Sequence, residues 1–484
     1  MIVPESRLMT QPVRVEHDLL GERAVPASAY YGIHTLRALE NFPITGNSIS
    51  IYPDLVAALA CVKQAAAIAN AELGLLDAQR SQAIRLACEE VREGRLADEF
   101  VVDVIQGGAG TSSNMNANEV ICNRALELLG HSRGEYQHLH PLDHVNLSQS
   151  TNDVYPTALK LALQTGIRRL SQEMISLRQA FAAKAQEFGD VLKVGRTQLQ
   201  DAVPMTLGQE FSTYAVMLEE DEQRLAEAAG LIREINLGAT AIGTGINAHP
   251  DYAPLVTKRL SELSGVTFIS SPNLVEATQD AGAFVQLSGV LKRIAVKLSK
   301  TCNDLRLLAS GPRAGIGEIS LPAVQAGSSI MPGKVNPVIP EVVNQIAFEV
   351  IGNDMTVTMA AEAGQLQLNA FEPIIAHSLF ESVSHLTAGC RTLAERCVRG
   401  IVANRERARR LLEESTAVVT ALTPLLGYQR SSEIAREALA TGARVHELVL
   451  AKGLMTREQL DEVLKPEKLT QPHYSTVHKP RSDA

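Results

Sequence analysis

The sequence contains no tryptophan and few other aromatic residues, with 9 Tyr and 10 Phe among 484 residues. Its 45 Lys and Arg are outnumbered by 54 Asp and Glu, which gives a net charge of −9. A nucleic-acid-binding protein needs basic surface for the phosphates and, for single strands, aromatic side chains that stack on the bases. Both are scarce here, so we expect no nucleic-acid partner.

Long apolar runs and paired cysteines are also missing. No stretch approaches the roughly 20 uninterrupted apolar residues that span a bilayer, and the first residues lack the apolar core of a signal peptide. The six cysteines lie far apart, without the CxxC pair typical of zinc or redox sites. We therefore expect buried free thiols, no membrane partner and a cytoplasmic location.

What the sequence does have is long helical periodicity. Beyond Pro156, apolar residues recur at steps of four and three from Leu159 to Phe181. We predict further long helices at about 206–235, 276–308 and 339–368. A helix of over thirty residues reaches roughly 45 Å and exposes an apolar stripe that one chain cannot easily cover. The pattern predicts a mainly α protein that self-associates.

The lengths of these periodic segments suggest three domains. Residues 1–150 carry shorter, interrupted helices, residues 151–403 carry the long helices of a central bundle, and residues 404–484 form a small helical domain with a flexible tail.

The most informative segment is GSSIMPGKVNP, from Gly327 to Pro337. Its glycines and prolines break regular structure while serine, lysine and asparagine supply polar groups, which favours a mobile loop that closes over an anion. A P-loop is excluded, because five residues separate Gly327 from Gly333 and Val335 follows Lys334.

Two further segments, GGAGTSSNMNANEV (107–120) and VNLSQSTNDVYPTA (145–158), place hydroxyl and amide side chains beside predicted helix starts. Helix N-termini carry unpaired N–H groups and partial positive charge, so these side chains are placed to hold a carboxylate. The alternative is plain helix capping, in which the same residue types are enriched. The candidates are Thr111, Ser112, Ser150, Thr151 and Asn152.

A fourth segment, GRTQLQDAVPMTLGQEF (195–211), and a fifth, NLGATAIGTGIN (236–247), are glycine- or hydroxyl-rich joints at predicted bundle ends. The glycines of the fifth do not form GxGxxG after a strand, so no dinucleotide site is indicated.

These five segments, in this order, resemble the aspartase/fumarase superfamily along nearly the whole chain. The GSSxMPxKxNP loop is specific to the superfamily, and NMNxNEV with GRTxLQDA narrows the resemblance to the aspartase and class II fumarase branch. Three motifs distinguish ammonia from water as the group removed, and all favour ammonia: GAGTS at 108–112, STND with Thr151, and Gln198 in place of the fumarase histidine. An amide cannot exchange a proton near neutral pH as histidine does.

The resemblance implies a three-domain helical fold whose central five-helix bundle forms a tetrameric core, with active sites shared between subunits. It also implies reversible removal of ammonia from L-aspartate to give fumarate, through abstraction of the Cβ proton and an enediolate. No cofactor is expected, and Mg²⁺ only as a non-catalytic activator. The implied roles are Ser328 as base, Lys334 and Asn336 at the α-carboxylate, Thr111, Ser150 and Thr151 at the β-carboxylate, Asn152, Thr197 and Gln198 near the amino group, and Ser112 and Ser329 as further substrate-binding residues.

Several alternatives stay open. The chain could be a fumarate hydratase, a catalytically silent structural relative, or a lyase for a substituted aspartate. The segment HLHPLDH (138–144) has spacing that suggests metal ligands, but the resemblance indicates an effector site there, altered by Leu142, and we expect no metal. Arg37 could contact substrate or form a structural ion pair.

Overall fold

The computed structural model describes residues 12–472, which form two compact units. Unit 1 comprises residues up to 172, 223–295 and 346–387, and unit 2 comprises 173–222, 296–345 and the residues from 388 onward. The predicted division at residues 150 and 403 stays a prediction.

Helices dominate the described chain, which confirms the mainly α fold. Five are long: Thr151–Glu187, Leu207–Leu231, Gly282–Leu308, Val338–Glu362 and Glu372–Arg396. The first four lie where the periodicity predicted long helices, and the fifth was not located from the sequence. The shorter α-helices are Ile33–Asn41, Pro53–Glu72, Ala78–Arg92, Thr111–Leu128, Tyr252–Ser264, Leu274–Gln279, Arg405–Glu414, Val419–Leu426, Tyr428–Thr441, Val445–Ala451, Arg457–Val463 and Pro466–Thr470.

Several helix boundaries differ from prediction, and the helix predicted over 339–368 ends at Glu362. The first long helix begins at Thr151, so Pro156, which was expected near its first turn, lies inside it. The helix predicted over 276–308 is two helices, because Asp280 adopts an extended backbone and its carboxylate accepts the Gly282 N–H at 2.9 Å. That side chain closes a turn that apolar periodicity alone does not reveal.

Strands are few and short, and the sequence analysis did not predict them. Unit 1 has an antiparallel hairpin, and unit 2 has another in the fourth segment, where only a joint was expected. The strand pairs are Val13–Asp18 with Gly21–Pro26, Leu192–Thr197 with Gln200–Thr206, Glu234–Ile235 parallel to Ile269–Ser270, and Ile319–Ser320 with Val402–Ala403.

Unit 2 is held together by an aromatic cluster and by polar pairs between its helices. Phe211 meets Phe188 edge to face with ring centroids 5.2 Å apart, and Tyr214 meets Phe181 at 5.3 Å. Such aromatic pairs stabilise a core beyond their buried area. Three polar pairs join neighbouring helices: Arg178 with Glu222, Tyr214 with Asp304, and Arg391 with Glu173.

The core of unit 1 contains the helix Pro53–Glu72. By length and composition it could cross a membrane, but 78 % of its most apolar stretch is buried inside the protein. Buried Lys63, Gln64 and Asn70 on this helix also need polar partners, which a lipid core would not supply. We therefore interpret it as a core helix. All six cysteines are buried and free, as predicted: Cys61, Cys88, Cys122, Cys302, Cys390 and Cys397.

Candidate active site

The second predicted segment forms a sharp entry into the helix Thr111–Leu128. Gly108, Ala109 and Gly110 precede it with φ of 91°, 56° and 88°, three consecutive residues in the left-handed region. A Cβ on Gly110 would lie 2.4 Å from the ring of Tyr155, so only glycine fits there. Thr111 is the first helical residue and donates its hydroxyl to the Gly108 carbonyl at 2.7 Å. The predicted helix start is confirmed.

The third segment begins the first long helix, and its capping groups join it to the fifth segment. The Ser150 hydroxyl accepts the Asn152 N–H at 3.2 Å, and Asp153 accepts the Ser150 N–H at 3.0 Å. The other Asp153 oxygen accepts the N–H groups of Gly238 at 3.1 Å and Thr240 at 2.9 Å. Ser150 therefore caps the helix, as the alternative interpretation proposed. The contacts of Asp153 also hold the third and fifth segments together.

A buried amide network lies behind Thr151. Asn114 donates its side-chain N–H to the Thr151 hydroxyl oxygen at 3.1 Å and to the Asn146 side-chain oxygen at 3.2 Å. That Asn146 oxygen also accepts from Lys63 at 2.8 Å and from Asn118 at 3.1 Å. The second and third predicted segments are thus brought together within unit 1 by side chains that the sequence analysis did not single out.

Two buried ionisable groups sit in this network. Burial lowers the pKa of Lys63 to about 7, although the nearby Asp153 carboxylate opposes the shift. Burial also raises the pKa of Asp153 to about 6, against the effect of its backbone hydrogen bonds and of Lys63. Groups poised near neutrality in this way are more common at functional sites than elsewhere.

A cavity of about 210 Å³ opens beside Ser150. Its wall is mostly hydroxyl and amide groups, from Ser148, Gln149, Ser150, Thr240, Ala241, Ile246 and Asn247. Three of these are non-glycine residues with positive φ: Ser148 at 63°, Thr240 at 55° and Asn247 at 66°. Such conformations cost free energy and concentrate at functional sites. No residue type in the sequence marks Ser148 or Thr240 as strained.

In unit 2, Thr197 and Gln198 lie at the exposed tip of the hairpin Leu192–Thr197 and Gln200–Thr206. Gln198 and Leu199 form its turn with φ of 54° and 63°, again without glycine. The base of the hairpin is anchored by the buried Glu318, which contacts Lys193 and Arg196 at 3.1 Å each. The ion pairs hold the hairpin in place, while the Thr197 and Gln198 side chains at its tip stay accessible to a ligand.

The loop Gly327–Pro337 is pinned at its base. Gly327 donates its N–H to the Lys334 carbonyl at 2.8 Å, and the Asn336 side-chain amide donates to the Gly327 carbonyl at 2.6 Å. A Cβ on Gly327 would lie 2.7 Å from both the Asn336 nitrogen and the Lys334 oxygen, so glycine is required. Ser329 and Lys334 are exposed. The predicted mobility of this loop stays a prediction.

Ser328 lies inside a turn of that loop. Its hydroxyl oxygen accepts the backbone N–H groups of Ile330 at 3.2 Å and Met331 at 3.0 Å. The turn-shaping role considered for a serine here is therefore present. The same two donors also favour negative charge on the oxygen.

Two residues outside the candidate set have clear structural roles. Glu119, the glutamate of NMNANEV, accepts the N–H groups of Gly32 and His34 at 2.8 Å each and the Thr35 hydroxyl at 2.6 Å. Its burial raises its pKa to about 7. Arg37 forms a two-bond ion pair with Asp18, both bonds at 2.8 Å, so the structural alternative for Arg37 is observed.

The chain matches two family models. One described as Lyase covers residues 21–352, and one described as Fumarase C C-terminus covers 418–471. The chain belongs to the aspartase/fumarase superfamily of lyases. The resemblance drawn from the five motifs is thereby confirmed.

This superfamily member aligns with its relatives over nearly all of its length. It is 56 % identical to the aspartate ammonia-lyase of Helicobacter pylori strain J99 (96 % of this chain, 100 % of the relative) and 59 % identical to that of Pseudomonas fluorescens (95 % and 96 %). A solved fumarate lyase:delta crystallin from Brucella melitensis, bound to cobalt, has a TM-score of 0.93 and 57 % identity (95 % of this chain, 100 % of that one). The solved class II fumarase of Schistosoma mansoni has a TM-score of 0.92 and 36 % identity, and the match covers 96 % of this chain and 100 % of that one. The protein is thus a carbon–nitrogen lyase.

Proposed function

We propose that the chain is an aspartate ammonia-lyase that converts L-aspartate reversibly to fumarate and ammonia. The observation that carries this proposal is that several full-length bacterial relatives, 54 % to 59 % identical, bear that name. The class II fumarase is more distant, at 36 % identity. The ammonia-type motifs around Thr111, Thr151 and Gln198 support the same choice.

In the proposed mechanism Ser328 takes the proton from Cβ of aspartate. A serine hydroxyl is ordinarily far too weak a base, so its alkoxide must be stabilised. The N–H groups of Ile330 and Met331, both donating to the Ser328 oxygen, supply two suitable dipoles. We assign the α-carboxylate to Lys334 and Asn336, with Ser329 as a further contact.

Loss of the Cβ proton places a second negative charge on the β-carboxylate, which becomes an enediolate. We assign Thr111, Ser150 and Thr151 to this group, because hydrogen-bond donors fixed where charge develops contribute on the order of 3 kcal/mol each. Asn152, Thr197 and Gln198 are proposed to contact the amino group, which leaves as ammonia. Ser112 is proposed as a further substrate contact.

The reaction as proposed requires no cofactor, and Mg²⁺ acts at most as a non-catalytic activator. We also propose a cytoplasmic homotetramer whose active sites are shared between subunits. Four apolar side chains along the helix Val338–Glu362 support self-association, because they share one stripe and are exposed in the single chain: Phe348 at 63 %, Ile351 at 38 %, Met355 at 60 % and Met359 at 65 %.

The experiment follows fumarate by its ultraviolet absorbance with L-aspartate and, separately, with L-malate. Purified wild type, Ser328→Ala and Ser212→Ala are compared, the last being an exposed serine within a helix of unit 2. We expect fumarate from aspartate only, lost in Ser328→Ala and retained in Ser212→Ala. Fumarate from malate only would indicate a hydratase, and no product from either substrate would indicate a silent relative or a substituted substrate.

A further inference from the structure

A loop outside the candidate active site carries a group of three potential metal ligands. It joins the helix Thr111–Leu128 to the single π-helical turn Pro141–Val145. His131, Glu135 and His138 on this loop each offer one ligand atom, and these three atoms all lie within 4.8 Å of one another. The motif HLHPLDH (138–144), at which no metal is expected from the sequence, includes His138 but neither His131 nor Glu135.

The three side chains are arranged by the backbone of the loop. The His131 N–H donates to the Leu126 carbonyl at 2.9 Å, and the His138 N–H donates to the Glu135 carbonyl at 3.0 Å. The two imidazole rings stack with centroids 3.8 Å apart and planes 5° from parallel. Glu135 lies on the same side, with its carboxylate 3.5 Å from the His131 Nδ1. The three potential ligand atoms therefore lie on one side of the loop, close to one another.

The guanidinium groups of the neighbouring basic residues pair with carboxylates other than that of Glu135. The Arg133 guanidinium donates to Glu127 at 2.8 Å and stacks over the Tyr30 ring at 3.6 Å. Arg80 pairs with Asp77 at 2.8 Å and donates its Nε–H to the backbone carbonyl of His138 at 2.6 Å, which leaves the His138 ring nitrogens uninvolved in that bond. Glu135 also accepts the N–H of Ser132 at 3.1 Å, which orients the carboxylate and leaves it able to accept further.

The other two histidines of HLHPLDH face different partners. The His140 Nδ1 accepts the N–H groups of Leu142 at 3.2 Å and Asp143 at 3.3 Å. The His144 Nδ1 accepts the His140 N–H at 2.8 Å. Those ring nitrogens are occupied by the backbone, so the geometry separates His138 from the rest of its segment and groups it with the upstream pair.

We propose that His131, Glu135 and His138 bind one divalent transition-metal ion of the Zn²⁺ or Co²⁺ class. Two imidazole nitrogens and one carboxylate oxygen are a donor set that suits these ions, whereas Mg²⁺ prefers oxygen ligands alone. Ligands about 2.0 to 2.2 Å from a tetrahedral ion lie roughly 3.4 Å apart, and an ion lies in the plane of each imidazole ring that binds it, so the two stacked rings must tilt out of parallel on binding. All three are at least partly exposed and free to make that adjustment.

The bound ion would join the C-terminal end of one helix to the loop that leads toward Ser150. None of the three ligands is assigned to the reaction in the proposed function, so the site is structural and its test does not depend on the substrate. A metal bound only to the folded chain stabilises it by mass action.

The test uses the full chain after chelator treatment and dialysis. Zn²⁺ is titrated by calorimetry and Co²⁺ by its visible absorption, into wild type, His131→Ala, His138→Ala and the control His249→Ala. His249 is a suitable control because it is also a half-exposed histidine near a carboxylate, Asp251, at 3.9 Å. We expect one equivalent bound by wild type and His249→Ala, with affinity at least about tenfold weaker in either ligand variant.

Circular dichroism without metal separates a lost ligand from a lost fold, since all four proteins are expected to give the same spectrum. Failure of the wild type to bind Zn²⁺, or equal affinities in wild type, His131→Ala and His138→Ala, would overturn the proposal.

Discussion

The side-chain amide of Asn114 donates a hydrogen bond of 3.1 Å to the hydroxyl oxygen of Thr151. Because this oxygen already accepts a hydrogen bond, the hydroxyl proton is directed away from Asn114. Thr151 is thereby fixed as a donor toward whatever lies on its other side. A residue that binds the β-carboxylate must donate a hydrogen bond to it, and Thr151 is oriented to do so. Within the proposed function, Asn114 is therefore a positioning residue.

Replacing Asn114 with alanine should therefore impair the reaction without removing any proposed substrate contact. The freed Thr151 hydroxyl can rotate, so part of the stabilisation of the enediolate is lost when charge develops on the β-carboxylate. We expect kcat for L-aspartate to fall about tenfold or more, equivalent to about 1.4 kcal/mol, with a smaller change in KM. Steady-state kinetics followed by fumarate absorbance measure both.

Asn123 provides the control, because it is a buried asparagine on the same helix, Thr111–Leu128. Its amide donates to the Tyr30 carbonyl and its oxygen accepts the Gly134 N–H, both at 2.8 Å. Asn123→Ala should lower stability but leave kcat of the folded enzyme near the wild-type value. Equal losses of kcat in the two variants would mean that Asn114 serves only the fold.

Gly110 should be far less tolerant of alanine than Gly130. Both have positive φ, 88° and 84°, so alanine costs roughly 1 to 2 kcal/mol of backbone strain at either position. Only at Gly110 does the new Cβ also meet an obstacle, the Tyr155 ring at 2.4 Å, whereas nothing lies within 4 Å at Gly130. We expect Gly110→Ala to lose at least about 2 kcal/mol more of the unfolding free energy.

Urea denaturation of the two glycine variants, at one protein concentration, measures this difference. Similar midpoints for Gly110→Ala and Gly130→Ala would show that Tyr155 moves aside at little cost.

The long helices could be predicted because their apolar residues repeat over many turns. The stripe from Leu159 to Phe181 is buried as its period required. The breaks could not be predicted in the same way, since the turn at Asp280 depends on one side chain accepting one N–H group. The hairpin at Leu192–Thr197 was missed because its turn uses Gln198 and Leu199, neither of which is a usual turn signal.

The candidate site residues could be predicted from motifs. The buried side chains that position them through hydrogen bonds could not. Asp153 joins the start of the first long helix to Gly238 and Thr240, a contact that no motif indicates. Lys63 lies on a helix whose sequence is mostly apolar and gave no signal of a buried cation. Such contacts join segments many residues apart, so they depend on the tertiary fold rather than on local pattern.

Glu372 makes stability depend on pH in a direction opposite to that of a typical paired carboxylate. It is buried at the start of the helix Glu372–Arg396, and burial raises its pKa to about 8 against the opposing charge of Lys160. Lys160 itself donates to the Glu234 carbonyl at 2.7 Å, and burial lowers its pKa. Glu372 therefore keeps its proton in the folded protein at a pH where the unfolded chain has released it.

Between pH 4.5, the unfolded pKa, and about pH 8, the unfolded chain binds fewer protons at this position than the folded protein does. The contribution of Glu372 to stability is therefore fully present below this range and is lost as the pH rises through it. The loss is on the order of a few kcal/mol. Glu372→Gln cannot ionise, so its stability relative to wild type should rise steadily across the same range.

Denaturant unfolding of wild type and Glu372→Gln at several pH values between 4.5 and 8.5 measures this divergence. The control Glu395→Gln removes an exposed glutamate from the same helix and should run parallel to wild type. If Glu372→Gln also ran parallel to wild type, Glu372 would be ionised in the folded protein, and Lys160 would have to be its charged partner.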